Sequence, residues 1–283
     1  MASSASTQNI YDTDPAFYAR FVELREARPE TQQAGVPDMA ALHELLPALA
    51  GKRVLDLGCG DGWFSRWASA RGAAVCRGVD VSAAQLDRAR QLTDMHRAYL
   101  VESRGSEGAD VDYVRADLNQ KGALTAALAT AAPEKKKFQV AFSSLSLHYV
   151  ADLRALLDEV AACLAPGAFF FFSIEHPLAT APTARTPALV RDGEGKPAWP
   201  VRDYAAEGAR VKTWLEADVL KQHRTVASYL NAVVGSGFDV VRVYEWGVKD
   251  GGEGGVDQLL RDRNYGVTES VFPYFMGFKV WKR

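Results

Sequence analysis

The sequence predicts an α/β protein built on a mostly parallel sheet, and three observations lead to that class. From residue 38 onward, strand-like and helical segments alternate, as they do where helices pack on a parallel sheet. The first apolar strand, 53–57, runs directly into a glycine-rich turn. The 283 residues are 48% apolar and show no internal repeat, which predicts one large domain or one domain with an insert.

Five strands are predicted in the first part of the chain. They are 53–57, 74–80, 112–115, 139–143 and 168–174. A short helix follows the glycines at 58–62, and a capping box formed by Ser82 and Gln85 begins the helix after the second strand. The helical spacing in that segment predicts a buried stripe, which consists of Leu86, Ala89, Leu92 and Met95.

Another helix is predicted between the fourth and fifth strands. Asp152 is its N-cap, and Pro166-Gly167 is predicted to end it. Its buried face consists of Leu153, Leu156, Leu157, Val160 and Leu164.

The alternating pattern lapses between residue 175 and about residue 220, and we interpret this long loop as a lid. A helix with Val226, Leu230, Val233 and Val234 inward is predicted to begin near Thr225 and to end at 235–237. A sixth strand at 238–245 and a last strand at 272–281 are predicted to pair as an antiparallel hairpin. Seven strands result.

Composition narrows the function classes. The net charge of −2 offers no basic footprint for nucleic acid. The three cysteines, Cys59, Cys76 and Cys163, have neither disulfide-framework nor zinc-site spacing, and no clustered metal ligands are visible. The first residues do not form a secretory signal, and the longest strongly apolar run, 168–174, is about a third of a membrane span. These observations predict a cytoplasmic protein.

The glycine turn carries the most specific signal. The strand ending Asp56-Leu57 is followed by glycines at alternate positions, which let a ligand approach backbone N–H groups; these are Gly58, Gly60 and Gly62. Asp56 adds a fixed negative charge that suits an ammonium or sulfonium group better than a pyrophosphate. Trp63 occupies the place where the dinucleotide fingerprint requires its third glycine.

This segment resembles the first motif of the class I S-adenosylmethionine-dependent methyltransferases. The resemblance extends to Asp80 in Gly78-Val-Asp-Val-Ser82 as the ribose ligand, and to Asp117 in Arg115-Ala-Asp-Leu118 as the adenine contact. It also matches Ser143 to Tyr149, which lines the methionine end and the transfer channel in that family. Asp117 is equally interpretable as a helix N-cap or turn residue.

The resemblance implies S-adenosyl-L-methionine as cofactor and a set of contacts to it. These are Asp56, Gly58, Cys59, Gly60, Gly62, Trp63, Asp80, Val81, Ala116, Asp117, Leu118, Ser143, Ser144, Tyr18 and Arg25. Tyr18 and Arg25, with Tyr11, are expected to close over the methionine carboxylate, while the spacing of Tyr11, Phe17, Tyr18 and Phe21 also fits a buried helical stripe. Cys59 is expected to be a small packing residue rather than a nucleophile.

Three histidines are candidates for a general base at the acceptor. His176 lies in Ser173-x-Glu-His-Pro177, a segment shared with a group of bacterial-type small-molecule methyltransferases, and the alternative is a histidine that fixes the lid. His223 precedes a predicted helix, and a polar role near the N-cap is its alternative. His148 is expected beside the channel, with loop packing as its alternative. Trp199, Tyr204 and Trp214 fit either an acceptor contact or a small core of the insert.

We therefore expect a doubly wound, seven-stranded, Rossmann-like class I methyltransferase fold with a lid between strands five and six. The predicted divisions are an N-terminal cover segment (1–37), a cofactor-binding core (38–174), a lid or acceptor insert (175–224) and the rest of the core (225–283). The predicted function is methyl transfer to O, N or C of a small molecule, by a monomer or homodimer that binds neither nucleic acid nor membrane. Three alternatives remain: a nicotinamide-dependent oxidoreductase, a non-catalytic cofactor-binding protein, and a protein or RNA methyltransferase.

Overall fold

The computed structural model describes residues 9–26, 42–131, 136–184, 190–195, 197–199, 201–246 and 273–283. Its strands are β1 Arg53–Leu57, β2 Val75–Asp80, β3 Asp110–Arg115, β4 Phe138–Ser144, β5 Leu164–Glu175, β6 Val190–Arg191, β7 Pro197–Ala198, β8 Gly208–Trp214, β9 Ala217–His223, β10 Phe238–Trp246 and β11 Phe275–Lys282. Its helices are α1 Ile10–Thr13, α2 Pro15–Glu26, α3 Leu42–Leu45, α4 Trp63–Ser69, α5 Ala83–Arg104, α6 Ala123–Ala131, α7 Leu153–Cys163, α8 Pro177–Thr180 and α9 Val226–Gly235. A 3₁₀ turn spans Leu147–Tyr149.

The central sheet has seven strands in the order β10-β11-β5-β4-β1-β2-β3. Strands β1 to β5 pair in parallel with their neighbours, whereas β11 is antiparallel to both β5 and β10. The order runs outward from β1 through β2 to β3, and on the other side through β4 to β5, so the sheet is doubly wound. The predicted fold class is confirmed, including the antiparallel last strand.

Both faces of the sheet are covered because successive residues of a strand point to opposite sides. Leu55 faces α6, α7 and α9, while Val54 faces α3 and α4. In β5 the consecutive phenylalanines divide in the same way, with Phe170 on the first side and Phe171 on the second. A continuous apolar run therefore forms a strand that is buried on both faces.

Several predicted boundaries and orientations are wrong. The helix before β5 ends at Cys163, and β5 begins at Leu164, so Pro166-Gly167 lies inside the strand. Met95 is 70% exposed, and Thr93 is instead the buried residue at that point of α5. Val234 is 47% exposed near the end of α9, where Val233 is buried. In both helices the apolar residue at the edge of the stripe lies on the solvent side.

The segment between β5 and α9 contains more regular structure than its sequence pattern predicts. Helix α8 follows β5 directly, and β8 pairs with β9 as an antiparallel hairpin. Whether this segment acts as a lid, and whether the chain divides at 37, 174 and 224, remain predictions. The parts of the predicted cover at 1–8 and 27–37, and the predicted strand start at Phe272, lie outside the described residues.

Candidate active site

The glycine turn joins β1 to α4 at the carboxyl edge of the sheet. Gly58, Gly60 and Gly62 all have positive φ angles, of 63°, 53° and 76°, a region that residues with a Cβ rarely adopt. The N–H groups of Gly58 and Cys59 both donate to the carbonyl of Val79 on β2. The turn is thereby held against the end of the neighbouring strand.

Two of these glycines are also required by close packing. A Cβ on Gly62 would lie 2.2 Å from the Tyr113 hydroxyl, and a Cβ on Gly58 would lie 2.3 Å from the Ser146 Cβ. A Cβ on Gly60 would meet nothing nearer than the Gln85 Oε1, at 4.0 Å. The backbone at Gly60 is therefore open to the approach of a ligand, whereas Gly58 and Gly62 let the turn pack on β3 and on the loop after β4.

Asp56 is 2% exposed at the end of β1, and its Oδ2 accepts a hydrogen bond of 2.8 Å from the Ser65 hydroxyl. Burial raises the pKa of Asp56 to about 7. The hydrogen bond from Ser65 opposes this rise, whereas the negative charge of Asp80 adds to it. A buried acid with a raised pKa is stabilised as an anion when a cation lies beside it. This corner of the molecule therefore has the electrostatics of a site for an ammonium or sulfonium group.

Asp80 ends β2 and holds the same turn from the other side. One carboxylate oxygen accepts from the Gly60 N–H at 2.9 Å, and the other accepts from the Ser82 N–H at 2.9 Å. Each carboxylate oxygen has a second lone pair, so both can still accept from a diol. Close by, Gln85 Oε1 is buried without a hydrogen-bond partner among the described residues. Gln85 is a residue that the sequence indicated only as part of a capping box.

The region after β3 lies next to Asp80. The Ala116 N–H donates to the Asp80 carbonyl at 2.9 Å, and Leu118 packs against the main core. Asp117 accepts from the Asn119 N–H at 2.9 Å and from the Gln120 side chain at 3.2 Å, the geometry of an Asx turn. The structure thus shows the turn role of Asp117, and its contact to adenine stays a prediction.

Val81 and the serines after β4 complete the predicted edge. The Val81 carbonyl accepts from the Asn9 side chain at 3.2 Å and from the Arg115 Nε at 2.9 Å. The Ser143 hydroxyl donates to the Leu57 carbonyl at 2.9 Å, so it joins β4 to β1, and Ser144 lies half-buried beside it.

Two residues in the predicted cofactor set are part of packed clusters. Trp63 is 8% exposed and packs edge-on against Phe64 and Phe142, at centroid distances of 5.7 and 5.6 Å. Cys59 is buried against α5 with Tyr113, and burial raises the pKa of its thiol well above the ordinary value. A thiol with a raised pKa is a poor nucleophile, as the sequence analysis expected of Cys59.

Helices α1 and α2, residues 9–26, form a cover over this edge. Asp12 joins it to the first turn of α5, since its carboxylate accepts from the Ser82 hydroxyl at 2.6 Å, the Ala83 N–H at 2.9 Å and the Ala84 N–H at 3.1 Å. The carboxylate satisfies backbone donors that a helix start otherwise leaves free, and it interacts with the positive end of the helix dipole. Asp12 is the principal contact that the sequence analysis missed.

Three further residues of the cover contact the core. Arg25 forms a forked ion pair with Asp61 of the glycine turn, with N–O distances from 3.1 to 3.3 Å. The Tyr18 hydroxyl donates to the Ala84 carbonyl at 3.2 Å. Burial raises the pKa of Tyr11, and Tyr149 and Asp80 are among the charges that act on it. The Tyr11 ring packs edge-on against Phe17 and Phe21, in a cluster that also includes Tyr149.

The opposite side of the cover packs on the β8–β9 hairpin. Trp214 contacts Phe17 and Phe21 edge-on, with centroid distances of 5.4 and 6.0 Å. The Arg20 Nε donates to the Leu215 carbonyl at 2.9 Å, at the tip of the hairpin. The cover thus joins the hairpin to the glycine turn across the carboxyl edge of the sheet.

His176 and His223 have both ring nitrogens engaged. His176 Nε2 lies 2.8 Å from Glu245 Oε1, and its Nδ1 accepts from the Leu178 N–H at 3.0 Å as the N-cap of α8. His223 ends β9 and contacts the Thr180 hydroxyl at 2.9 Å and the Tyr204 carbonyl at 2.9 Å. These contacts favour structural roles for both rings, and their catalytic roles stay predictions.

His148 differs from these two histidines. It is 1% exposed, its Nδ1 accepts from the Glu175 N–H at 3.4 Å, and its Nε2 is buried without a partner among the described residues. Burial lowers the pKa of His148 to about 3, so the ring is neutral at physiological pH. Because Nδ1 accepts, the single proton of the neutral ring lies on Nε2.

Glu175, the residue before His176, forms an ion pair with Lys221 of β9. Burial raises the pKa of Glu175, but the Lys221 ammonium and the other nearby positive groups lower it more, so the net shift is downward. The Lys221 Nζ lies 6.0 Å from the ring centre of Tyr149. The Glu-His-Pro segment is evident in the sequence, but its pairing with Lys221 is not, because the lysine is 46 residues away in the chain.

A family described as a methyltransferase domain matches residues 26–243. This chain belongs to the methyltransferase family. A crystal structure of an S-adenosylmethionine-dependent methyltransferase from Mesorhizobium loti is 34% identical to it, with a TM-score of 0.64 over 88% of this chain and 99% of that chain. This methyltransferase therefore uses S-adenosylmethionine.

Two curated relatives extend the comparison. An uncharacterized protein of Haemophilus influenzae is 27% identical over 237 residues, which are 84% of the methyltransferase and 85% of that protein. A ubiquinone biosynthesis O-methyltransferase of Ralstonia nicotianae is 30% identical over 180 residues, which are 60% of the methyltransferase and 65% of that relative.

The edge described above fits this cofactor. Among the described residues, the buried Asp56 has no cationic partner and the buried acceptor Gln85 Oε1 has no donor, while Gly60 leaves the backbone open. S-adenosylmethionine supplies a sulfonium, an ammonium and hydroxyl donors, which complement these groups. A dinucleotide pyrophosphate would instead face Asp56 and Asp80. Within the described part of the methyltransferase, no His, Cys, Asp and Glu side chains group into a metal site, and no helix is both long and apolar enough to cross a membrane.

Proposed function

We propose that the protein methylates a small molecule, which binds beneath the cover and beside the β8–β9 hairpin. The observation that carries this proposal is the contact between the cover and the hairpin through Phe17, Phe21 and Trp214. An acceptor that reaches the methyl group beside Asp56 under this contact must be compact, which an RNA helix or a folded protein is not. The O-methyltransferase name of the Ralstonia relative supports a small-molecule acceptor.

Within this proposal, Asp56 and the glycine turn hold the methionine end of the cofactor, Asp80 and Gln85 accept from its hydroxyl and amino donors, and the segment after β3 lies at the adenine. When bound, the cofactor supplies an electrophilic methyl group. Methyl transfer is an in-line displacement that depends mainly on positioning and on exclusion of water. The cover excludes water above Asp80, since Asp12 fixes it to α5 and Arg25 fixes it to the turn.

The proposal is tested by following a radiolabelled methyl group from S-adenosylmethionine into fractions of a cell extract. We expect the label to enter the small-molecule filtrate and to stay out of the protein and RNA fractions. The Asp80→Asn variant should lose this transfer together with the binding of S-adenosylhomocysteine in calorimetry. Asp87→Asn is the matched control, because Asp87 is an exposed acid of α5 that pairs with Arg90.

Label found only in protein or RNA would refute the small-molecule proposal and leave the family assignment intact. Calorimetry with NADH tests the oxidoreductase alternative, and we expect no binding. Binding of S-adenosylhomocysteine without transfer to any fraction would favour the non-catalytic binding protein.

A further inference from the structure

The inward face of the β8–β9 hairpin is basic, which is unusual for a buried surface. Arg210, Lys212 and Lys221 are 8%, 6% and 5% exposed. The strand alternation places them on one face together with His223, and we call these four residues the basic face. Arg210 lies directly opposite Lys221 in the register. Like charges in that position destabilise a hairpin unless negative charge lies near them.

The described residues supply little of that negative charge. The Arg210 guanidinium and the Lys212 ammonium donate to backbone carbonyls, which are those of Ala181, Ala206 and Ala209 for the arginine and of Pro182 and Ala184 for the lysine. Carbonyls satisfy N–H groups but carry no net charge. Of the three cations, Lys221 is the one that pairs with a carboxylate, that of Glu175. Three buried cations thus have one paired anion within the described part of the chain.

Burial lowers the pKa of Lys212 to about 8; Glu175 counteracts this shift, whereas Lys221 and Arg210 add to it. Burying cations that are not neutralised costs free energy that the fold must recover elsewhere. A bound anion would remove much of this cost. The basic face therefore has the electrostatics of an anion site rather than of a structural ion-pair network.

The basic face lies at the acceptor side of the site. The Lys221 Nζ is 6.0 Å from the ring centres of both Tyr149, in the loop after β4, and Trp214, which packs on the cover. An ammonium has three N–H donors, and the bond to Glu175 occupies one of them. Lys221 therefore keeps donors for a ligand while its position is fixed by Glu175.

A second donor without a partner lies in the same neighbourhood. His148 carries its proton on the buried Nε2, which contacts no acceptor among the described residues. Its Nδ1 accepts from the N–H of Glu175, the residue whose carboxylate pairs with Lys221. A buried donor left unpaired destabilises the fold, so such groups are normally satisfied. An anionic oxygen of a ligand would satisfy it.

Resting on the proposed function, we propose that the methyl acceptor carries a carboxylate, which binds to Lys221 with support from Lys212 and the His148 Nε2–H. The basic face is then a specificity determinant: it orients the acid end of the acceptor away from Asp56 and Asp80, whose negative charges would repel it. The hydroxyl or amino group that takes the methyl lies at the other end of the acceptor.

The test is calorimetric binding to the complex of the protein with S-adenosylhomocysteine. The probes are salicylate, mandelate and lactate, each compared with its neutral primary amide. We expect at least one acid to bind about 10- to 100-fold more tightly than its amide, the range for hydrogen bonds to charged groups. Lys221→Met should remove this preference while S-adenosylhomocysteine affinity stays unchanged, Lys212→Met should reduce it, and Lys221→Arg should retain most of it.

Lys52→Met is the matched control, because Lys52 is exposed just before β1, at the opposite edge of the sheet. It should keep the full preference for the acids. If Lys221→Met proves unstable because Glu175 is left unpaired, the double change Glu175→Gln with Lys221→Met removes both charges and should show the same loss.

The proposal is overturned if the amides bind as tightly as the acids, if no acid binds at millimolar concentration, or if the preference survives in both lysine variants. These outcomes are separate from failure of the proposed function. If the methyl label enters only neutral small molecules, the small-molecule function stands and the carboxylate proposal fails. If the label enters protein or RNA alone, both proposals fail.

Discussion

Replacing Asp12 with alanine removes the carboxylate that joins the cover to the start of α5. In the native protein this carboxylate accepts from the Ser82 hydroxyl and from the N–H groups of Ala83 and Ala84, at 2.6 to 3.1 Å. Although partial burial acts to raise the pKa of Asp12, these hydrogen bonds lower it below the ordinary value. The interaction is therefore present in the ionised form at neutral pH and is lost only as the pH falls through that lowered pKa.

The magnitude follows from the two parts of the contact. Loss of a side-chain cap at a helix start costs about 0.5–2 kcal/mol, and loss of a charge at the helix dipole costs about 0.3–1 kcal/mol. The Asp12 side chain is 20% exposed, so water recovers some of both contributions. We therefore expect the free energy for opening the cover to fall by about 1–2 kcal/mol, which is a factor of about 5–30 in the opening equilibrium.

Hydrogen–deuterium exchange of peptides from 9–26 measures this opening directly, because the amides of the cover exchange when it detaches. Exchange in Asp12→Ala should accelerate by about the same factor of 5–30, while peptides from β1 and β4 stay unchanged. Glu23→Ala is the matched control, since Glu23 is an exposed acid of α2. Equal exchange of the cover in wild type and Asp12→Ala, or equal acceleration in the control, would show that Asp12 does not hold the cover.

Three further predictions follow. Because burial raises the pKa of Asp56 to about 7, this carboxyl group is protonated at lower pH, and binding of an ammonium must displace the proton. The calorimetric affinity for S-adenosylhomocysteine should therefore fall by up to about tenfold per pH unit below 7, and Asp56→Asn should flatten this dependence. In urea unfolding, Gly62→Ala should lower the free energy of unfolding by about 1–3 kcal/mol more than Gly51→Ala does. Both glycines have positive φ, but only a Cβ at Gly62 would meet the Tyr113 hydroxyl, so equal losses would contradict the steric argument. Phe278→Ala, at a fully buried ring in β11, should lower the free energy of unfolding by about 3–5 kcal/mol, and a loss below about 1 kcal/mol would indicate a core that collapses around the gap.

The sequence predicted the central sheet well because its strands are continuous apolar runs between turn signals. Strand β1 has the predicted bounds, Ser82 and Asp152 cap their helices with their side chains as predicted, and α9 begins next to Thr225, near which a helix start was predicted. Pro166-Gly167 was misread because these residues signal an end of helix but are also compatible with the solvent-exposed start of a strand. Propensity alone does not separate the two.

The β8–β9 hairpin escaped prediction for a physical reason. Strand recognition relies on apolar residues facing inward, but here Arg210 and Lys212 face inward, whereas Val211 between them is 38% exposed. The polarity is inverted relative to an ordinary surface hairpin. Such an inversion is expected where a strand serves a ligand rather than the core.

The candidate site was predictable only where parallel strands end. Asp56 and Asp80 lie at the carboxyl ends of neighbouring strands, so the topology alone brings them to one edge. Asp12 and Ser82, by contrast, are 70 residues apart and meet through the docking of a separate helix. No local pattern carries information about that contact, and its identification required the three-dimensional arrangement.

The position of β11 has a consequence for how the chain reaches this structure. β11 follows β10 in sequence, but it lies between β10 and β5 in the sheet and makes hydrogen bonds to both. Until β11 is synthesised, the phenylalanine-rich β5 is an open sheet edge, and the described residues offer β10 no other strand to pair with. Open apolar edges of this kind pair with other chains, and closing them over a long sequence separation is slow. Folding intermediates that lack β11 should therefore be the species most prone to aggregation. Chaperones should be needed most during the time before β11 has been synthesised.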